Sequence, residues 1–485
     1  MQSFSKWTAF LPSGGQTLSA PGTREKVKAE LIGSLGEDKV LWRDEDLAPY
    51  CTGQYIHLVR VGDKDRYSPS FVVLPETTED VQKAVRIARK YKVPIIPKGG
   101  GSNLVGCLAP IHEEMIIDTI RMNRILEIRP NDLCVTVQSG ITLKELDAQL
   151  ARHGLTLNQI QGSYKVATVG GAISTCGYSR KHNKYGSISD RVMSLEVVLA
   201  DGSVLRTGPK VLYTSTGYRL AQLFVGAEGT LGVITEATLR VEPIAEAWDG
   251  VIAYYDDFRS ALNAAVRLKR SGLTFVGAEV FELPKDWAYD VPEGKNALVI
   301  ADFEGTKEEV EAQVSKAKEI LTAAGGVLAD PEDARGYVEG YEMIWCGLRA
   351  MTDKWGDSIV PYVPIDRLIE FYDKLWNEIM PKYGMVHAGA GERCGLDCGR
   401  FEMCYATFLI PPGDIGLENH RKVFQEISEL VTSLGGSIGA CMGVGLKHKD
   451  AMSLEFSETA IETVRVIKRA LDPDNIMNPG KKFPL

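Results

Sequence analysis

The run of small residues from Pro97 to Gly106, Pro-Lys-Gly-Gly-Gly-Ser-Asn-Leu-Val-Gly, constrains this chain more than any other segment. Three successive glycines carry no side chains, so the main chain there can approach a ligand closely. Successive amides in such a turn can form a concave set of N–H donors for an anion, typically a phosphate or a diphosphate. The segment therefore predicts a loop that binds a phosphorylated ligand.

Two familiar phosphate-binding motifs do not fit this loop. Gly101 and Gly106 have the glycine spacing of a kinase-type P-loop, but Cys107 and Leu108 replace the Lys and the Ser/Thr of that motif. Leu104 occupies the last glycine position of G-x-G-x-x-G, which disfavours a Rossmann dinucleotide site. The residues alone leave open another class of phosphate site and an ordinary glycine-rich loop.

Two later segments have a similar composition. Residues 167–174 read Ala-Thr-Val-Gly-Gly-Ala-Ile-Ser, and residues 225–235 read Val-Gly-Ala-Glu-Gly-Thr-Leu-Gly-Val-Ile-Thr. Small residues and hydroxyls between β-branched positions suit a backbone that lies flat against a large planar ligand. Between them, residues 192–199 are predicted to form a strand that ends at an Asp-Gly turn.

With these segments in this order, the chain resembles the flavin oxidoreductases of the vanillyl-alcohol oxidase and p-cresol methylhydroxylase type. Within that family it is most similar to the D-lactate, glycolate and D-2-hydroxyglutarate dehydrogenases. Five segments carry the resemblance: 97–106, 167–174, 185–202, 223–243 and 471–484. It implies an α+β fold, in which a two-subdomain FAD-binding domain of the p-cresol methylhydroxylase type is joined to an α+β cap domain with an antiparallel sheet.

The resemblance also implies FAD, bound non-covalently, and assigns residues to it. The diphosphate is expected at Gly99, Gly100, Gly101, Ser102 and Asn103, and the ribityl chain and ring at Thr168, Gly170, Gly171 and Ser174. The adenine half is expected at Glu228, Gly229 and Val233. The remaining expected cofactor-binding residues are Pro97, Gly106, Tyr185, Asp190, Ile234 and Asn478. The alternative, a covalent tether to the ring, has His57, Cys176 and His182 as its candidates.

Composition is that of a globular enzyme with two domains. A chain of 485 residues exceeds the usual size of one core, and its 44% hydrophobic and 25% charged residues are ordinary values. A formal charge of −9 argues against a nucleic-acid surface. Nine cysteines without a paired framework predict a reducing compartment, and we expect a cytoplasmic protein. Neither a signal peptide nor an apolar run long enough to span a membrane is visible.

Capping patterns and periodicity organise the chain into three parts. Thr77 with Asp80, and Thr142 with Glu145, predict helix starts in a FAD-binding domain over 1–243. Beyond it, a βαββα pattern over 250–324, then a helix over 365–380 and a strand over 401–410, predict a substrate-binding cap over 244–438. Residues 439–485 are expected to return to the first domain, with a final helix capped by Thr459 and Glu462. Residues 12–22 are expected to form a terminal arm.

The substrate side departs from the family pattern. In the D-2-hydroxy acid branch, a divalent metal is held by H-x-G-x-G-x-x-H and by a glutamate that a base histidine follows directly. Here the first motif runs from His387 to Cys394, and the second is replaced by Cys441-Met442. A methionine cannot accept a proton, so Met442 is no general base. Loss of the metal is the preferred interpretation, and a soft-metal site of His387, Cys394 and Cys441 is the alternative.

The resemblance further assigns Arg349 to the carboxylate of the substrate through a bidentate contact. Lys354 and Asp357 are candidates for its neighbours. His387 is the preferred acid–base residue, and the weaker candidates are Tyr185, Tyr341 and Tyr405.

The predicted activity is FAD-dependent oxidation of a small D-2-hydroxy acid of the D-lactate or glycolate type, by hydride transfer to flavin N5. The electrons pass to a non-nicotinamide acceptor such as an electron-transfer protein or a quinone. One alternative is metal-independent oxidation of another alcohol. A second is a flavin subunit with an iron–sulfur or flavoprotein partner. A third is alkyl-group exchange without net flavin reduction, as in ether-lipid synthases. We expect a homo-oligomer or a subunit of a complex.

Overall fold

The computed structural model describes residues 22–51, 67–283, 290–336, 356–387, 395–397, 403–409 and 414–482. Helices and strands alternate through these ranges, which confirms the predicted α+β class. The strands form sheets of four, five and eight strands and one two-stranded ladder. None of the helices in the described part of the chain combines the length and the apolar character that crossing a bilayer requires.

The four-stranded sheet carries the glycine-rich loop. Its strands are β1 (Val40–Leu41), β2 (Phe71–Val73), β3 (Ile95–Lys98) and β4 (Met115–Asp118), in the order β1-β2-β4-β3. The last three strands are parallel, and the glycines follow directly where β3 ends. The helices Thr23–Leu35 and Thr78–Tyr91 pack on it, and the Thr77 hydroxyl accepts the Asp80 N–H as predicted.

The five-stranded sheet is antiparallel, and the third glycine cluster, 225–235, leads into its central strand. Its strands are β5 (Ile125–Arg129), β6 (Cys134–Gln138), β8 (Val192–Val198), β9 (Val204–Arg206) and β10 (Val233–Arg240), in the order β5-β6-β10-β8-β9. The short strands β7 (Leu155–Thr156) and β11 (Glu242–Pro243) pair beside it. The helices Leu143–Leu150 and Val169–Ser174 contribute to its core.

The eight-stranded sheet follows, and its strand pairs are all antiparallel. Its long strands are β12 (Ala247–Tyr255), β13 (Gly277–Glu282) and β14 (Ala297–Gly305). Its shorter strands are β15 (Val327–Leu328), β16 (Gly356–Ile359), β17 (Val386–His387), β18 (Gly395–Asp397) and β19 (Met403–Leu409). With the helices Phe258–Lys269 and Lys307–Ala323 this gives the predicted βαββα order, and the Thr306–Glu309 capping box is present. One large core lies between this sheet and its helices.

Three helical segments differ from the sequence prediction. The helix over 365–380 consists of a 3₁₀ turn (Ile365–Arg367), an α-helix (Leu368–Lys374), a π-helical turn (Leu375–Ile379) and a last α-turn (Met380–Lys382). A helix over Asp414–Ser433 was not predicted. The final helix, Glu458–Leu471, begins at Ser457, whose hydroxyl accepts the Ala460 N–H; the prediction of Thr459 was wrong.

The C-terminal segment returns to the four-stranded sheet, where it extends the edge at β3. Ile95 donates its N–H to the Ile476 carbonyl at 2.7 Å and accepts the Asn478 N–H at 2.8 Å. Short helices connect the remaining parts: Asp44–Leu47, His182–Tyr185, Ile188–Arg191, Ala221–Phe224, Gly445–His448 and Met452–Glu455. The tail therefore lies beside the glycine-rich loop.

Candidate flavin-binding site

A cavity of about 310 Å³ lies where the three glycine clusters meet. Thirteen of the residues predicted to bind FAD line it: Pro97, Gly99, Gly100, Gly101, Ser102, Asn103, Thr168, Gly170, Gly171, Ser174, Glu228, Val233 and Ile234. Segments that are far apart in sequence thus form one continuous wall.

Two of the glycines are required because the clusters touch each other. A Cβ on Gly100 would lie 1.8 Å from the Val166 carbonyl oxygen, and one on Gly99 would lie 2.1 Å from the Thr168 hydroxyl. Neither distance is sterically possible for a side chain. The glycine-rich loop can therefore lie against the 166–168 backbone only if these two positions carry no Cβ.

The main-chain amides of this loop are available to a ligand. The N–H groups of Gly100, Gly101 and Ser102 donate to no acceptor in the part of the chain that the structure describes. The Lys98 ammonium lies beside this loop, where it pairs with the buried Asp118 carboxylate at 2.7 Å and donates to the Gly99 carbonyl at 3.0 Å. The free amides are therefore the donors that the loop offers to an anion.

A buried hydroxyl also lacks a partner in this wall. Ser139 is fully buried and lines the cavity, and its Oγ has no hydrogen-bond partner within the described ranges. Because a buried polar atom normally has a partner, this oxygen points to a polar ligand group. Together with the unoccupied amide donors and the Cβ-free loop, it shows that the wall fits a dinucleotide such as FAD.

Ser139 and several other lining residues were not predicted from the sequence. The others include Gln161, Ser163, Val166, Tyr178 and Val360. Ser139 follows strand β6 directly, and its position at a strand end was the only available signal. The others lie in loops or, for Val360, beyond strand β16, where no local pattern separates them from ordinary connections.

Five predicted residues lie off the cavity, and the side chains of two of them, Tyr185 and Asp190, have contacts of their own. Tyr185 packs against the Arg191 guanidinium, and burial together with a hydrogen bond to Glu304 raises its pKa. Asp190 accepts the Ser187 N–H at 2.9 Å and so caps a short helix.

Gly106, with φ +80°, makes a turn. Gly229, with φ +73°, packs against Pro97, and Asn478 donates from Nδ2 to the carbonyls of Glu228 (2.7 Å) and Cys107 (3.1 Å). None of these three lines the cavity.

Glu228 lines the cavity, yet its carboxylate is engaged by the protein. It accepts the N–H groups of Val444 and Gly445 at 2.7 and 2.8 Å, and Lys482 lies 3.1 Å away. The neighbouring Cys107 is buried, and burial followed by the charge of Glu228 raises the pKa of its thiol. Glu228 therefore connects the wall to the C-terminal segment.

The candidate catalytic and metal residues are only partly described. Arg349, Cys394, His57, Lys354 and Tyr341 lie outside the described residues. His387 lies in β17, opposite Phe408 of β19; Asp357 lies in β16 and Tyr405 in β19.

Cys441 and Met442 line the cavity, as their motif position implied. Within the described ranges no group of three His, Cys, Asp or Glu side chains is placed to hold a metal ion. Because Cys394 lies outside those ranges, the set of His387, Cys394 and Cys441 stays an alternative.

The two described candidates for a covalent tether do not line the cavity. Cys176 lies behind the wall, and burial raises the pKa of its thiol. His182 is fully buried, with Nδ1 2.6 Å from the Ser179 carbonyl oxygen. Non-covalent binding remains the prediction.

Comparison with known proteins gives two family matches. Residues 69–208 match the FAD binding domain, and residues 246–482 match the C-terminal domain of FAD linked oxidases. The first matched segment contains the glycine-rich loop and Ser139, and the second contains the eight-stranded sheet together with Cys441 and Met442.

Several curated proteins are similar over most of their length. Glycolate oxidase subunit GlcD of Bacillus subtilis is 29% identical over 435 residues, which cover 86% of this chain and 89% of that protein. A D-lactate dehydrogenase of Archaeoglobus fulgidus is 30% identical over 433 residues, with 86% and 92% covered. An alkyldihydroxyacetonephosphate synthase of Dictyostelium discoideum is 26% identical over 469 residues, with 88% and 75% covered.

Among solved structures, p-cresol methylhydroxylase with substrate bound superposes with a TM-score of 0.79 at 18% identity. The match covers 95% of this chain and 97% of that one, and it supports the predicted fold. The sequence and family matches add the cofactor, FAD, and the class of enzyme. The chain therefore has the fold of p-cresol methylhydroxylase and belongs to the FAD-linked oxidoreductases, in the family of GlcD and the D-lactate dehydrogenases.

Proposed function

We propose that this enzyme oxidises a small D-2-hydroxy acid and passes the electrons to an acceptor other than a nicotinamide. The observation that carries the proposal is the similarity, at 29% and 30% identity over 86% of the chain, to a glycolate oxidase subunit and a D-lactate dehydrogenase. Both names describe proteins that act on 2-hydroxy acids. The bound FAD supplies the hydride acceptor in this chemistry.

The chain's own residues have three tasks in the proposed reaction. The glycine-rich wall holds the cofactor, and Arg349 binds the carboxylate of the substrate. As the hydride leaves the carbinol carbon, the hydroxyl proton must be taken up by a base, for which His387 is our candidate. Met442 has no basic atom and serves as an apolar part of the cavity wall.

Anaerobic reduction of the bound flavin tests this proposal. We expect D-lactate, glycolate or D-2-hydroxyglutarate to bleach the flavin absorbance, and L-lactate to leave it unchanged. His387→Asn should slow the reduction about 10²- to 10⁴-fold with little effect on FAD content, since it removes a general base. Failure of all three acids to reduce the flavin would overturn the choice of substrate.

The Bacillus relative is a subunit of a glycolate oxidase. This relation favours a variant of the proposal in which the electrons leave through a partner protein. Stopped-flow reoxidation distinguishes the acceptors. Reoxidation by an artificial dye or a quinone, but not by NAD⁺, is the expected result. Fast reoxidation only after addition of a co-purified iron–sulfur or flavoprotein partner would identify the chain as a subunit of a complex.

Alkyl-group exchange is the second candidate, because an alkyldihydroxyacetonephosphate synthase is similar over 88% of the chain. In that reaction one oxygen substituent replaces another and no electrons leave the protein. Product formation by the oxygen-free enzyme with no acceptor, and without lasting loss of flavin absorbance, would favour it over hydroxy-acid oxidation.

A further inference from the structure

The segment 440–447, which we call the closing loop, supplies Cys441 and Met442 to the cavity wall. Its contacts with the rest of the wall are specific. The Ala440 N–H donates to the Val360 carbonyl at 2.9 Å, and the N–H groups of Leu446 and Lys447 donate to the Val105 carbonyl at 2.8 and 3.1 Å. The position of the closing loop is therefore set by hydrogen bonds to the residues around the cavity.

Glu228 holds this loop from one side. Its side chain is buried, and its backbone has φ +52°, a conformation that non-glycine residues rarely adopt. One carboxylate oxygen accepts the Val444 N–H and faces Lys482, and the other accepts the Gly445 N–H. Bonds to a charged acceptor are roughly twice as strong as those between neutral groups, so this one side chain fixes the turn.

Asn103 holds the loop from the other side. Its Nδ2 donates to the Met442 carbonyl at 3.0 Å, and its Oδ1 accepts the Val105 N–H at 2.9 Å. Asn103 directly follows Gly100, Gly101 and Ser102, which line the cavity and whose N–H groups have no acceptor within the described residues. A ligand that orders the backbone of 100–103 therefore also fixes the donor that holds Met442.

We propose that Asn103 and Glu228 are positioning residues that close the loop over the bound cofactor, so that FAD binding shields the Cys441 thiol. The coupling must be reciprocal: if bound FAD stabilises the closed loop, the closed loop stabilises bound FAD, so a variant that releases the loop also weakens FAD binding. Shielding of the thiol requires bound FAD and does not depend on which substrate the enzyme oxidises.

The thiol of Cys441 serves as the reporter, read as the rate of its alkylation by iodoacetamide in peptide mass spectra. We expect FAD to slow alkylation of the wild-type protein about tenfold. In Glu228→Gln the FAD-bound rate should rise about tenfold, because the new amide N–H₂ faces a backbone donor and leaves an unpaired amide behind. Dissociation of FAD should be measured on the same samples by its fluorescence.

The matched control is Glu114→Gln. Glu114 is also fully buried, and it also accepts two backbone N–H groups, from Ile111 at 3.1 Å and from His112 at 2.7 Å, beside Lys481 at 3.3 Å. It touches neither the cavity nor the closing loop. Glu114→Gln should lower the midpoint of unfolding about as much as Glu228→Gln does, and it should not change the rate of Cys441 alkylation.

A second pair of variants keeps the test independent of Glu228. Asn103→Asp retains the acceptor for Val105 and removes the donor to Met442, whereas Asn131→Asp makes the same change of charge at an exposed position. Faster alkylation in Asn103→Asp alone supports the proposal, provided that it is measured at saturating FAD, because the new charge beside the expected diphosphate also lowers FAD affinity directly. Equal alkylation in wild type, Glu228→Gln and Asn103→Asp, or an equal rise in Glu114→Gln, would overturn it. Unreactive hydroxy acids would leave this result standing and would refute only the proposed substrate.

Discussion

The glycine-rich wall of the cavity depends on glycines that lie directly against a neighbouring segment, whereas the closing loop is held by main-chain hydrogen bonds and, in addition, by the side chains of two residues. In the first region, Gly99 and Gly100 lie against the 166–168 segment so tightly that no Cβ fits. In the second, Glu228 and Asn103 reach across to a segment that follows Glu228 by more than 200 residues. The fit of the glycine-rich wall therefore depends on positions that carry no side chain, whereas the hold on the closing loop can be weakened by substituting Glu228 or Asn103.

The largest expected effect comes from a substitution that disrupts the glycine-rich wall. In Gly100→Ala the new methyl group would lie 1.8 Å from the backbone oxygen of Val166, which no side-chain rotation relieves. We expect FAD affinity to fall about 10- to 100-fold, in line with overpacking of a rigid site, as measured by fluorescence titration of the apoprotein.

Its control is Gly33→Ala in the first helix, where nothing lies within 4 Å of the new Cβ. This variant should keep its FAD affinity and gain about 0.5–1 kcal/mol in the free energy of unfolding, since alanine is the better helix former. Equal FAD affinity in both variants would refute the role assigned to the glycine contact.

A smaller effect is expected at one atom of the cavity wall, the Ser139 hydroxyl oxygen. Ser139 and Ser70 are both buried, and the Oγ atoms of both lack a partner in the described ranges, but only Ser139 lines the cavity. Ser139→Ala should weaken FAD binding about tenfold because a ligand hydrogen bond is lost. Ser70→Ala should leave it unchanged. If the two variants bind FAD equally well, the Ser139 hydroxyl does not contact the cofactor.

The smallest expected effect compares two thiols that line the same cavity. Cys107 belongs to the glycine-rich wall, and burial together with the negative charge of Glu228 raises the pKa of its thiol. At about pH 9, where an ordinary cysteine is largely ionised, Cys107 should remain protonated and resist iodoacetamide. Cys441 should be the faster of the two, most clearly in Glu228→Gln. Faster alkylation of Cys107 in folded protein would contradict the burial.

The difference between the two regions also explains what could be predicted from sequence. The glycine clusters are local patterns that carry the family resemblance, and thirteen of the residues that the resemblance assigned to FAD line the cavity. Helix starts at Thr77 and Thr142 were predicted because a capping hydroxyl and its amide partner are three residues apart. Local chemistry was sufficient for these helix starts.

Prediction failed where several local solutions compete or where contacts are distant. Thr459 and Glu462 have the spacing of a capping box, but Ser457 caps the helix and Glu462 pairs with Arg469 and Arg465 instead. Glu228 was assigned to the adenine half of the cofactor, and it lines the cavity. Its bonds to the amides of Val444 and Gly445 were not predicted, because only the tertiary fold brings that distant segment to it.

Hydrogen–deuterium exchange with and without FAD tests the central claim, that bare main-chain amides of the glycine-rich loop bind the cofactor. We predict that FAD slows exchange at residues 100–103 about tenfold or more, because amides without a protein acceptor acquire one on the ligand. The exposed loop 211–218 should exchange at the same rate in both states and serves as the internal control. Unchanged exchange at 100–103 in protein saturated with FAD would contradict the account.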